Sequence, residues 1–164
     1  MAEQRWIEID GRKWRATDPA VPEPFRQQLV DELMDARRAV GAGRRAHDDA
    51  AVAIARSRVQ AAKVALGERG EPWWEEPTAE GRRDRFTAAV RALARHRAPD
   101  RTICPSDAAR AVGGPGWRTH MDLAREVARD LARDGDVVIE QRHQRVDPEA
   151  SWHGPVRIRF VALP

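Results

Sequence analysis

The chain has 164 residues, enough for one domain of ordinary size or two small ones. Charged residues make up 34%, apolar residues 41%, and the net charge is only +3, which excludes a disordered acidic or polybasic chain. A single cysteine, Cys104, excludes an internal disulfide framework and any multi-cysteine zinc site.

No apolar run approaches the roughly 18 residues a membrane helix needs. The first residues, Met1 to Trp6, carry no apolar leader stretch, so a cytoplasmic protein without a membrane partner is expected. Residues 1–83 hold 15 basic and 15 acidic side chains, whereas residues 84–164 hold 14 arginines and 11 acids. The whole positive excess therefore lies in the second half, which suits nucleic acid better than an acidic partner.

Trp6–Arg15 reads as a β-hairpin. Asp10-Gly11 is a two-residue turn signal, because glycine accepts the positive φ of a type I′ turn. That turn sets Ile9 opposite Arg12, Glu8 opposite Lys13, Ile7 opposite Trp14 and Trp6 opposite Arg15. An isolated hairpin is marginal, so it is expected to cover one side of the helices that follow. Asp18 to Pro24 is an extended connector. A helix runs from about Pro24 to Val40 on the stripe Phe25, Leu29, Leu33, Ala36 and Val40, and Gly41 and Gly43 are expected to end it. A second helix runs from about Ala46 to Leu66, with Asp48 and Asp49 in its first turn and Gly67 as its stop. Together they form an antiparallel αα-hairpin.

Residues 71–83 are a connector rich in Trp, Pro and acids, with Trp73 and Trp74 as packing anchors. The expected division is 1–70, this connector, and 84–164. The second half opens with a helix capped by Thr78 or Asp84 and running to about Arg97, with Phe86, Val90, Leu93 and Ala94 inward. After the short extended piece Thr102-Ile103, Pro105 and Asp107 start a short helix with Cys104 at its cap position. Gly113 to Gly116 is a turn. Trp117 to Asp134 reads as one long helix. Its acids Asp122, Glu126 and Asp130 each stand three residues before Arg125, Arg129 and Arg133, so the helix is expected to neutralise itself. Val137–Glu140 and Val156–Phe160 alternate as paired strands, and 141–154 is a long loop between them.

The expected fold is mainly α with small β: an N-terminal β-hairpin plus αα-hairpin, then a winged helix-turn-helix. In that architecture the start of the long helix and the wing approach DNA. The candidate contacts are Arg118, Thr119 and His120 at the helix start, Arg142 and Arg145 in the wing, and Arg157 and Arg159 on the last strand. Trp152 either joins that wing as a reader or folds onto the sheet.

No catalytic constellation, phosphate loop or nucleophile elbow is present. Cys104, His120, His143 and His153 lack the spacing of a metal module, and Cys104 reads as a small cap or core residue. No enzyme activity, no cofactor and no metal are therefore expected. The leading expectation is a module for double-stranded DNA with a role in transcriptional regulation. The alternative is a protein–protein adaptor or homodimer that uses the winged helix and the N-terminal helices.

Ile103-Cys-Pro-Ser-Asp-Ala-Ala-Arg110, Trp117-Arg118, Met121, Gly135 to Ile139, Asp147-Pro148 and Gly154 to Arg159 resemble the bacterial domain-of-unknown-function family numbered 3253. The resemblance implies a compact winged-helix-like domain and no established activity. The hairpin, Arg26 to Leu33 and Val64 to Trp74 resemble a bacterial N-terminal region sometimes labelled as a Tol biopolymer transporter.

Overall fold

The computed structural model describes residues 4–161. It is mainly α with two small antiparallel sheets. Strands β1 (Trp6–Ile9) and β2 (Arg12–Arg15) pair in the expected register, from Ile9 opposite Arg12 to Trp6 opposite Arg15. The turn holds Asp10 at φ 52° and Gly11 at φ 72°. The hairpin touches the helix pair where Lys63 of the second helix lies 5.1 Å from the Trp14 ring centroid, but it leaves most of that pair uncovered. Its strands are mostly exposed, and it is tied to the connector by Arg15, which donates to the Gly70 carbonyl at 2.8 Å, and by the Trp6–Trp74 contact. Trp73 donates to the Ala16 carbonyl at 2.9 Å. The two connector indoles are thus half-buried anchors for the hairpin.

Helix α1 (Glu23–Arg45) runs through Gly41 and Gly43. Gly43 is a contact residue: a Cβ there would stand 2.9 Å from Val52 Cγ2 and 3.2 Å from Val52 N on α2 (Asp49–Ala65). The chain instead reverses just beyond, with His47 at φ 52°. The two helices also share an ion pair, with Arg58 Nε 2.8 Å from Glu32 Oε1 at a site where the glutamate side chain is only 3% exposed.

Helix α3 (Ala79–Arg97), capped by the Thr78 hydroxyl, is the central element. It buries Phe86, Ala88, Ala89, Val90, Ala92, Leu93 and Ala94. Periodicity marks Phe86, Val90, Leu93 and Ala94; the additional alanines let elements pack on both sides of α3. Helices α1 and α2 lie against one side. Helices α4 (Pro105–Val112) and α5 (Met121–Arg133) lie against the other, so one apolar core extends from Val21 to Ile158.

The expected long helix begins as a 3₁₀ turn, Trp117–His120, before α5 proper. The second sheet has the order β4-β3-β5, from β3 (Val137–Gln141), β4 (Gln144–Val146) and β5 (Arg157–Phe160). Ile103 extends it by bridging Ile158. The stretch read as a long loop therefore contains a strand. Arg142 and His143, at φ 52° and 64°, make a two-residue turn between β3 and β4. Among the described residues no helix is long and apolar enough to cross a membrane.

Candidate nucleic-acid interface

Alternation along β3 and β5 sends Val137, Ile139 and Ile158 into the core. Glu140, Arg157 and Arg159 are left on the other face. Arg145 stands opposite Glu140 on β4, and Arg157 stands opposite Glu140 on β5. Cross-strand partners share a face, so Arg145, Arg157 and Arg159 lie on the same face as one carboxylate, Glu140, and Arg159 is paired with it. Arg142 occupies the turn that ends this hairpin. The structure thus brings together four of the seven residues that the sequence singles out.

These four are not equivalent. Arg159 is committed to Glu140 at 2.7 and 3.2 Å and to the Pro99 carbonyl at 2.9 Å. The Arg159 guanidinium holds the Glu140 carboxyl below its ordinary value. Arg157 donates to the Thr102 hydroxyl at 2.8 Å, to the Thr102 carbonyl at 3.1 Å and to Cys104 Sγ, yet it stays exposed. Arg142 and Arg145 are exposed and make no hydrogen bond or ion pair with any described residue.

The helix start behaves differently. Arg118 is exposed and lies over the Trp117 ring, 4.4 Å from its centroid. The Thr119 hydroxyl donates to the Gly116 carbonyl at 2.8 Å. His120 turns inward against Phe86, with ring centroids 6.0 Å apart, and desolvation followed by the nearby Arg82 lowers its pKa. It lines a cleft beneath the Trp73–Trp74 connector.

The body of α5 is occupied too. Of the three expected pairs within the helix, only Asp130 with Arg133 forms, at 2.9 Å. Glu126 pairs with Arg83 of α3 at 3.2 Å, and Asp130 pairs with Arg83 as well. Arg125 donates to the Trp152 carbonyl at 2.8 Å, Arg129 to the Pro148 and Ala150 carbonyls, and Arg133 pairs with Glu149. The Trp152 ring lies 3.9 Å from the Arg129 guanidinium, and its indole donates to the Asp147 carbonyl at 3.0 Å. Segment 147–156 is therefore fastened along α5, and Trp152 is buried at 8% exposure. Trp152 does not project as a reader; it is buried in the core that also holds the inward sheet residues Val137, Ile139 and Ile158.

Cys104 sits at the start of α4, where its N–H donates to Asp107 at 2.9 Å. Asp107 is held in turn by Arg97 at 3.1 Å. The thiol is a hydrogen-bond partner of Arg157, a role no spacing signal announces. Among the described residues no cluster of His, Cys, Asp and Glu could hold a metal ion.

No curated protein matches the chain. The model of the family described as "Protein of unknown function (DUF3253)" matches residues 83–161, so the stretch from early α3 through the second sheet is similar to that family.

Proposed function

We propose that α3 to β5 form a winged-helix module that binds double-stranded DNA through the outer face and turn of its sheet, with α5 acting as scaffold and no catalytic step. One observation carries this reading: Arg145, Arg157 and Arg159 share one sheet face with a single acid, Glu140, and Arg142 stands in the turn at the end of the same hairpin. Phosphate contacts need cations that can leave water for an anion, and Arg142 and Arg145 are committed to no other group. Two non-glycine residues at positive φ in the β3–β4 turn add support, because such conformations cost about 1 kcal/mol or more and collect where function needs the side chain. Arg118 and Thr119 remain available at the helix start. The arginines of α5 do not, since a loop occupies them.

The test is duplex binding as a function of salt, by fluorescence anisotropy. Replacing Arg142 and Arg145 with glutamate is expected to weaken binding about tenfold or more at low salt and to lower the salt slope by about two. Wild-type protein that shows no salt-sensitive binding to a duplex at low ionic strength ends this reading.

A second reading has its own observation. Ile7, Ile9 and Trp14 share one face of the N-terminal hairpin and are 37%, 53% and 41% exposed. Such a patch suits a protein partner or a second copy of the chain. Light scattering of the full chain against Ile9→Glu tests it: an oligomer dissociated by the substitution supports an adaptor or dimer.

A further inference from the structure

A cavity of about 580 Å³ lies between α2, α3 and the β3–β5 end of the second sheet. Its walls are largely apolar: Ile54, Ala61, Val64, Ala88, Val137 and Phe160 contribute to them. Ile54, at the rim, is 44% exposed. That volume falls in the range of small-molecule sites. Nothing in the sheet-face reading uses this cavity.

Three arginines face it, and their states differ. Arg58 is held by Glu32 through two hydrogen bonds of 2.8 and 3.1 Å. Arg91 is held by Asp136 through two of 3.0 and 2.8 Å. Arg95 is half-buried and stacks over Phe160 at 4.3 Å, but donates a hydrogen bond to no described residue. Its guanidinium is partly withdrawn from water, and burial, then the neighbouring Arg58, lower its pKa against the opposing pull of Glu32 and Asp136. Its planar donor fork fits a carboxylate. Glu32, Asp136 and Asp84 also line the cavity, and they would repel a doubly charged phosphate more strongly than a singly charged group.

We propose that this cavity is a binding site for a small organic monocarboxylate. Arg95 takes the carboxylate, and the apolar walls of α2, α3 and the strand ends take the ligand's hydrocarbon body. The site stands whether or not the sheet face binds DNA.

Calorimetric titration of the full chain with phenylacetate, 4-phenylbutanoate and octanoate, each beside its neutral amide, tests the proposal. At least one carboxylate is expected to bind saturably, with its amide about tenfold weaker or worse. Arg95→Gln is expected to erase the difference between acid and amide. Ser57→Trp, an exposed wall position, is expected to abolish binding while circular dichroism and thermal unfolding stay unchanged. The proposal is overturned if no carboxylate binds up to low millimolar concentration, if acid and amide bind equally, or if binding survives Ser57→Trp. The acid–amide comparison needs only the unmodified protein, so it decides the matter even if Arg95→Gln does not fold.

Discussion

Gly43 sits where α1 approaches α2 most closely, and the atoms a methyl group would meet there include the backbone nitrogen of Val52. Alanine is the better helix former by about 1 kcal/mol. Overpacking of a fixed contact costs about 1–3 kcal/mol. Because part of the obstruction is backbone, the clash wins. Gly43→Ala is expected to destabilise the protein by about 1 kcal/mol, read as a lower midpoint in urea unfolding. An unchanged or raised midpoint would show that α1 and α2 can move apart freely. Gly43 carries the same letter as a helix stop, and only the neighbouring helix reveals which role it plays. His120 shows a similar limit. Its position at a helix start is legible, whereas its inward turn against Phe86 depends on α3 being there.

At the scale of elements, α5 and the 147–156 segment behave as one unit. Arg129 supplies hydrogen bonds to two carbonyls and a face for Trp152. Arg129→Ala is expected to cost about 1–2 kcal/mol and to speed amide hydrogen exchange across 147–156, while α5 itself stays protected. Equal exchange in both proteins would mean the segment is held by other contacts. In this arrangement the arginines of the helix face are consumed within the chain. The regular spacing of acids and arginines invites a reading of pairs within the helix. Backbone carbonyls of a distant loop leave no mark in the sequence, so that competition cannot be seen there. The N-terminal hairpin is the opposite case. A two-residue Asp-Gly turn fixes register by itself, so all four expected pairs appear.

The whole molecule is organised on α3, which is buried on opposite sides and joins α1–α2 to α4, α5 and the second sheet in one core. The Glu32–Arg58 pair lies inside this assembly, with side chains 3% and 18% exposed. Removing only the glutamate strands a largely desolvated guanidinium. Glu32→Ala is therefore expected to cost about 3 kcal/mol, and Glu32→Leu with Arg58→Met less than that. Chemical denaturation of the two variants checks the order; a double variant less stable than the single one would refute the desolvation argument. The presence of the helices, the cap position of Cys104, the hairpin and the inward strand faces were legible in the sequence, whereas the end of α1 and the start of α5 were not, because near neighbours set periodicity and turn chemistry but packing decides where a helix stops. The sequence also determined which arginines alternate outward on the last strand. Tertiary structure alone decided which cations stay available. Arg125, Arg129 and Arg133 are taken by a loop, Arg157 and Arg159 by Thr102, Cys104 and Glu140, while Arg95, Arg142 and Arg145 are left unpaired among the described residues. The reason is physical: a charge is neutralised by whatever group the fold brings within a few ångströms, and that group is set by packing across the whole chain.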